Sequence, residues 1–227
     1  MHQFTFLFCA FFLWFCSPET QPPTNEAADW PAELNTAKDA GYLDELDKQV
    51  VLELNKVRSN PRRFAEDYME ELLTAFEGNV FVYPGQDPVV TKEGVRPLKE
   101  CIQILKQKNP LLILQPSEGL SKASADLVAD QEKYGRIGHI GHNGSTPQQR
   151  VEKYGEWNIC LAEGITYGSF EARQIVIALL IDDGVPDRGH RNSILNDCFH
   201  FIGVAHGDHP DYKSMCVNDY AGEYKSR

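Results

Sequence analysis

The sequence has no run of basic residues and no apolar stretch long enough to cross a membrane. A membrane-spanning helix needs about 20 consecutive apolar residues, and the uncharged run at residues 4–15 is shorter than that. Nucleic-acid binding usually depends on a basic surface, whereas the formal net charge of these 227 residues is −11. The densest basic cluster, Arg58 with Arg62 and Arg63, lies at a predicted helix boundary, where we expect it to be solvated. These absences argue against a transmembrane span and against a nucleic-acid partner.

Two local signatures of hydrolases are also missing. The sequence contains neither the H-E-x-x-H pattern of zinc proteases nor the G-x-S-x-G turn of serine hydrolases. The cysteines show no C-x-x-C spacing, which a zinc knuckle or a thioredoxin-like redox site would need, and no internal repeat is visible. A function must therefore be sought in residues that are far apart in the sequence.

The run at residues 4–15 has the length of the hydrophobic core of a signal peptide. Although no Lys or Arg precedes it, we interpret residues 1–18 as the signal peptide of a secreted, extracellular protein. The alternative is a lipid anchor at Cys16, since Leu13 lies three residues before it. Residues 19–42 are rich in Pro, Glu, Thr, Asn and Ala and lack apolar periodicity, which predicts a flexible tail or linker.

The remaining chain is predicted to form one domain at residues 43–221 and a C-terminal tail at residues 222–227. A hydrophobic content of 42% is sufficient for a core. Apolar residues at helical spacing predict helices at 46–59, 61–73, 98–106, 118–134 and 170–182, with a short helix that begins near 145–147.

The other segments are predicted to be loops and strands. Residues 155–165 are expected to form a loop, and residues 78–95 a loop or a short hairpin. The runs at 201–206 and 214–220 are rich in β-formers and flank a turn-forming segment, so they predict a second hairpin. Helices followed by a small sheet indicate an α+β sandwich.

Four of the six cysteines lie outside the signal segment: Cys101, Cys160, Cys198 and Cys216. An oxidising compartment favours disulfide formation, so we expect one or two bridges. Four cysteines allow three pairings. We favour Cys198 with Cys216 for one bridge, and the other pairings stay open.

Histidines and carboxylates in the second half of the chain are the main candidates for chemistry. Three histidines each follow a glycine in a predicted loop, one glutamate precedes a glycine, and two aspartates end a nearly all-apolar helix. These residues are His139, His142, His190, Glu163, Asp182 and Asp183. Neutral imidazoles and carboxylates are ligands for Zn²⁺ and similar ions. For each residue taken alone a surface or hydrogen-bonding role is more common, and spacing alone does not bring them together.

Four segments around these residues occur in a characteristic order. They are GHIGHNGSTP at 138–147, AEGI at 162–165, GHRNSIL at 189–195 and FIGVA at 201–205. Through them the chain resembles the CAP superfamily, which includes the SCP, PR-1-like, cysteine-rich secretory and antigen 5 proteins. The resemblance covers about residues 45–221. Its Gly-His-Arg segment favours a bacterial-like branch, so substrates of the animal and plant members should not be transferred to this chain.

The resemblance implies a three-layer α-β-α sandwich with a central antiparallel sheet. It also implies a cleft with two histidines and two acids, in which His139 and His190 take the histidine positions and Glu163 and Asp182 the acid positions. In several members of the family the two histidines bind a divalent metal. The resemblance therefore implies Zn²⁺ or another divalent ion on this pair.

Three departures from the family pattern affect this assignment. Asp182 stands where most relatives have Glu, and Asp183 competes for the same role. Gly164 replaces an Asn that many relatives place after the first acid. His142 is an additional imidazole close to the first histidine, so either could face the cleft.

The resulting functional hypothesis is a secreted, monomeric interaction protein. Its cleft or neighbouring grooves would hold an extracellular lipid, a peptide or a cell-surface partner. The alternative is a metal-assisted hydrolase, a peptidase or an esterase, with Glu163 as the general base. A distance of about 5 to 7 Å between the rings of His139 and His190 would support a shared site, and more than about 12 Å would exclude a common metal.

Overall fold

A computed structural model describes residues 29–82 and 88–227. The predicted signal peptide and the first part of the predicted linker lie outside these ranges. The α-helices are α1 Glu45–Ser59, α2 Pro61–Tyr68, α3 Arg96–Gln107, α4 Glu118–Tyr134, α5 Pro147–Tyr154, α6 Ala172–Ile181 and α7 Gly189–Ile194. The strands are β1 Phe76–Glu77, β2 Val80–Phe81, β3 Val89–Val90, β4 Gln115–Pro116, β5 Gly155–Tyr167, β6 Phe201–His209 and β7 Lys213–Ser226. Short 3₁₀ helices cover Ala32–Leu34 and Glu71–Ala75.

Three of the predicted helices begin at a side chain that caps their first turn. Asp44 accepts a hydrogen bond from the first turn of α1, and Asn60 does the same for α2, which begins at a proline. Thr146 opens α5 with a capping box. Gly135 ends α4 in the left-handed conformation, with φ 62°. None of the helices described here combines the length and apolar composition needed to cross a membrane.

The main sheet has the strand order β4-β6-β7-β5. The three long strands are antiparallel, with β7 in the middle of them, and the two-residue β4 pairs parallel to β6. The predicted terminal hairpin is β6–β7. The segment at 78–95 contributes the β2–β3 hairpin, to which β1 adds a third short strand.

Both faces of the main sheet are covered by helices, because side chains alternate between the faces of a strand. On β6, Ile202 and Val204 belong to the large core that also includes residues of α1, α2, α3, α6 and α7. Ala205 packs on the other face, in a smaller cluster with Leu127 and Val128 of α4. The domain is therefore the three-layer α-β-α sandwich that the sequence predicts.

Strand β5 is the largest element that the sequence analysis missed. Residues 155–165, predicted to be a loop, form most of this 13-residue strand. Its pairing with β7 shifts register between Asn158 and Leu161, and Ile159 has a positive φ of 74°. Such a bulge interrupts the two-residue periodicity by which a strand is recognised in a sequence.

The segments predicted to lie outside the domain at its two ends are also corrected. Residues 29–42, assigned to the linker 19–42, pack on the domain: Leu34 is buried, and Trp30 Nε1 donates to the hydroxyl of Tyr68 at 2.8 Å. The C-terminal tail predicted at 222–227 is largely the end of β7, whose Ser226 pairs with the first residue of β5.

The predicted solvation of Arg58 is wrong as well. Its side chain is fully buried, whereas Arg62 is exposed and forms an ion pair with Glu66. At the boundary between α1 and α2, the side chain of Arg58 therefore points into the core and that of Arg62 points to solvent.

One disulfide joins Cys160 of β5 to Cys198, in the segment before β6. The favoured Cys198–Cys216 pairing is wrong, because Cys216 lies within β7 and faces the core beneath α1. Cys101 and Cys216 are both buried free thiols. The bridge ties the edge strand to the connection that precedes β6.

Replacing Cys160 and Cys198 together with serine is expected to lower the free energy of unfolding by about 3 kcal/mol. The bridge closes a loop with a sequence separation of 38 residues, and a loop of this size is worth about 2–4 kcal/mol through restriction of the unfolded chain. Urea unfolding with and without reductant measures the difference. Reductant should lower the stability of the wild type to that of the double variant, and it should leave the stability of the double variant unchanged. Equal stability of the variant and the oxidised wild type would contradict the expectation.

Candidate functional site

Two imidazole–carboxylate pairs bring the four predicted residues together. His139 Nδ1 lies 2.8 Å from Glu163 Oε1, and His190 Nδ1 lies 2.7 Å from Asp182 Oδ1. The ring centroids of the two histidines are 6.4 Å apart. This distance falls in the range expected for a shared site.

The pairs meet at the edge of the main sheet, on strand β5. Glu163 lies directly opposite Asp219 of β7, on the sheet face that α4 covers. The next residue, Gly164, faces the opposite layer, where an added Cβ would lie 3.5 Å from His190 Cδ2. His139 comes from the α4–α5 connection and His190 from the start of α7, so the two histidines belong to different helical layers.

The imidazoles are accessible and the carboxylates are not. The side chains of His139 and His190 are 47% and 22% exposed, while those of Glu163 and Asp182 are each 1% exposed. When Nδ1–H donates to the carboxylate, the lone pair of Nε2 is available to a ligand. The arrangement therefore presents two oriented imidazoles backed by two buried acids.

Arg150 is a member of the site that sequence reasoning missed. Its Nη2 donates to Glu163 Oε2 at 2.6 Å and to the carbonyl of His139 at 3.0 Å, and its side chain is only 4% exposed. Its charge offsets that of the buried glutamate and also fixes the loop of His139. Nothing in the sequence distinguishes Arg150 from Lys153, which lies exposed on the same helix.

Asp219 is a further buried acid, and it lies opposite Glu163 on the neighbouring strand β7. Its Oδ2 accepts a hydrogen bond from the hydroxyl of Ser124 at 2.7 Å, while Oδ1 has no hydrogen-bonding partner within the described chain. Burial, and then the nearby charge of Glu163, raises the pKa of Asp219 well above its usual range. Compared with an exposed aspartate, Asp219 is therefore shifted towards its neutral form.

Asp182 joins the end of α6 to the start of α7. It is the C-cap of α6 in the left-handed conformation, with φ 58°, and its Oδ2 accepts the backbone N–H of His190 at 2.9 Å and of Arg191 at 3.3 Å. Aspartate tolerates this backbone conformation better than most residues. This gives a physical reason for Asp where the family pattern has Glu.

The two competing residues lie outside the pairs. Asp183 faces the segment 92–93 and accepts both of its backbone N–H groups, at 2.7 and 2.8 Å. The ring of His142 stacks on Tyr134 with centroids 3.8 Å apart. The two pairs are thus formed by His139 and Asp182, and not by His142 or Asp183.

A different His/acid group, which no sequence pattern predicted, lies between the start of α1 and strand β6. Asp44, Asp47 and His206 place one ligand atom each within 4.8 Å of one another, and they are the one such group of three among the residues that the structure describes. His206 Nδ1 is 2.9 Å from Asp47 Oδ1 and 3.4 Å from Asp44 Oδ2. No local motif marks the group, because 159 residues separate Asp47 from His206.

Comparisons with known proteins give one family. The model of the family described as "CAP: Cysteine-rich secretory protein family" matches residues 52–220. No curated protein matches the chain significantly.

Two solved structures are similar to parts of the chain. One is an outer surface protein from Borrelia burgdorferi, at 22% identity and a TM-score of 0.41, over 57% of this chain and 89% of that one. The other is an extracellular protein containing a SCP domain from Bacillus anthracis str. Ames, at 15% identity and a TM-score of 0.37, over 55% of this chain and 37% of that one.

Proposed function

The chain belongs to the CAP family of cysteine-rich secretory proteins, and from this premise we propose that it is an exported, monomeric interaction protein whose His139–His190 pair holds a divalent metal. The observation that carries the proposal is the pair of imidazoles 6.4 Å apart, each with Nδ1 on a buried carboxylate. Carboxylates in that position orient ligating histidines and increase their basicity.

The spacing of the rings is compatible with one shared ion after a small movement. A ring centroid lies about 3.2 Å from a zinc ion bound at Nε2, so two rings on a tetrahedral ion are about 5.2 Å apart. The observed separation of 6.4 Å requires a closure of about 1 Å. His139, half exposed and carried by a loop between glycines, is the residue that would move.

Two protein ligands leave positions on the ion for a partner. A tetrahedral ion has four positions, so a carboxylate or another donor of an extracellular ligand would complete the coordination. Ile137 and Ile140, on either side of His139, are 59% and 45% exposed and would contact apolar parts of the same ligand. A lipid, a peptide or a cell-surface partner would combine such a donor group with apolar parts.

We favour binding over hydrolysis because of the contacts of Glu163. A general base must accept a proton from water or substrate, but both carboxylate oxygens of Glu163 already have partners, His139 and Arg150. We infer that Glu163 positions His139. Hydrolysis of a peptide or ester by the wild type, lost in Glu163→Gln, would instead favour the hydrolase.

A titration of metal-free protein with Zn²⁺ tests the metal site. Replacing His139 and His190 together with alanine is expected to weaken binding at this site at least about 100-fold, because both protein ligands are lost. His142→Ala is the matched control, since His142 lies on a nearby loop and stacks on Tyr134. Calorimetry should give wild-type binding for the control. If the double variant also binds like the wild type, the metal assignment is wrong.

A further inference from the structure

We propose that Asp44, Asp47 and His206 form a second divalent-metal site, which joins the start of α1 to strand β6. This site is separate from the His139–His190 pair. His206 lies on β6, and β7 separates that strand from β5, where the first pair meets. The second site therefore depends on none of the residues of the proposed function.

The imidazole nitrogen already has, from each of the two carboxylate oxygens, the spacing that a small ion requires. Donor atoms about 2.0–2.1 Å from a tetrahedral zinc ion are about 3.3 Å from one another. His206 Nδ1 lies 2.9 Å from Asp47 Oδ1 and 3.4 Å from Asp44 Oδ2. The two carboxylate oxygens lie within 4.8 Å of each other, so an ion would draw them together by up to about 1.5 Å.

The local fold holds the ligands in place without the ion. Asp44 uses Oδ1 to cap α1, accepting the N–H of Asp47 at 3.1 Å, which leaves Oδ2 directed at His206. The side chain of Asp47 is 9% exposed. The site thus has two preset carboxylate oxygens, one of them on a nearly buried side chain.

Among the described residues, no Lys or Arg balances the charge of Asp44 and Asp47. In the described parts of the chain, neither Asp44 nor Asp47 forms an ion pair with Lys or Arg, and His206 is the shared partner of both. The N-terminus of α1 contributes about half a positive charge, which is less than the charge of the two carboxylates. A divalent cation would complete the neutralisation.

The donors select the class of ion. Ca²⁺ prefers six to eight oxygen ligands, whereas an imidazole with two carboxylates suits Zn²⁺ or a similar transition metal. Cys216 lies directly across from His206 on β7, is 1% exposed and has no disulfide partner. Its thiol lies outside the 4.8 Å group, so the donors of the site are the imidazole and the two carboxylates.

The outer side of the site is open. A cavity of about 350 Å³ lies beside His206 and is also lined by Leu46, Phe170 and Asp208. An ion held by three protein ligands has a further position for water or another small donor. The cavity gives that position access to solvent.

Zinc calorimetry on the full metal-free chain tests this proposal. The wild type should bind two ions, and Asp47→Asn should bind one, because the amide keeps the size of the side chain and an acceptor for His206 but loses the charge. Glu45→Gln is the matched control, since Glu45 lies in the same helical turn, is exposed and contacts Gln49. The control should bind two ions. Excess Ca²⁺ should displace neither.

The two sites are distinguished by their variants. His206→Gln provides a second substitution at the new site, and urea unfolding in chelator establishes that each variant is folded. Loss of all zinc binding in His139→Ala/His190→Ala would overturn this inference and leave the proposed function standing. If that double variant still binds one ion, and the triple variant that also carries Asp47→Asn binds none, the inference is supported, whatever happens at the first site. Two ions bound by both Asp47→Asn and His206→Gln, or displacement by Ca²⁺, would also overturn it.

Discussion

Replacing Arg58 with methionine is expected to lower the free energy of unfolding by about 4–5 kcal/mol. The guanidinium of Arg58 donates to four backbone carbonyls, those of Leu112, Ile194, Asn196 and Phe199, each at 2.8 Å. Each buried acceptor left without a donor costs about 1–3 kcal/mol. Methionine retains most of the apolar stem, so the effect reports the lost hydrogen bonds more than a cavity.

The effect is large because Arg58 connects three parts of the chain. Its side chain begins at the end of α1 and reaches both the segment before β4 and the end of α7 with the segment that follows it. Burial lowers its pKa to about 10, so the group remains charged at neutral pH. The four carbonyl oxygens stabilise this buried charge, as a carboxylate partner would in an ion pair.

Arg62→Met is the matched control for Arg58→Met. Arg62 lies four residues later, is 61% exposed at its side chain and contacts Glu66 at 3.7 Å. Exposed ion pairs contribute about 0–1 kcal/mol, so the control should unfold close to the wild type. Urea denaturation followed by circular dichroism gives both values. A loss below about 1 kcal/mol for Arg58→Met would contradict the structural role assigned to its hydrogen bonds.

Gly203→Ala is expected to destabilise the fold by about 3 kcal/mol or more, at the upper end of the usual cost of overpacking. A Cβ on Gly203 would lie 2.1 Å from the backbone carbon of Leu120 and 2.2 Å from the backbone nitrogen of Ser121. Side-chain rotation cannot relieve this overlap, so α4 would have to move by more than about 1 Å from β6, and overpacking of a core costs about 1–3 kcal/mol or more. Thermal unfolding should show a lower midpoint.

Gly41→Ala controls for the added methyl group itself. No atom lies within 4 Å of a Cβ built on Gly41, and its φ lies outside the left-handed region. The control should therefore unfold within about 0.5 kcal/mol of the wild type. If Gly203→Ala is as stable as this control, the close approach of α4 to β6 is not required by the fold.

Local patterns in the sequence determined α1 to α6, the terminal hairpin and the family, whereas α7 lies where a loop was predicted around His190. Caps and apolar periodicity depend on residues within a turn or two, so α1, α3, α4 and α6 are recognisable without any tertiary contact. The ordered segments around His139, Glu163 and His190 identify the CAP domain, and the structure places these residues in one site. Their metal binding stays a prediction.

The tertiary structure decided the features that depend on contacts across the sequence. Strand β5 is recognised by its pairing with β7, since its bulge at Asn158–Leu161 breaks the local pattern. The Cys160–Cys198 bridge replaces the favoured pairing because the sheet directs Cys216 into the core. Arg58 and Arg150 stabilise the fold because they are buried and hydrogen-bonded, although both resemble ordinary surface residues in the sequence.

The two His/acid groups also differ in how much of each could be predicted from the sequence. The residues of the first group could be named from the sequence, but their separation of 6.4 Å between rings results from two helical layers that meet at one edge strand. The second group could not be named, because Asp44 and Asp47 begin a helix and His206 lies in a strand more than 150 residues later. Long-range packing alone brings these three side chains together.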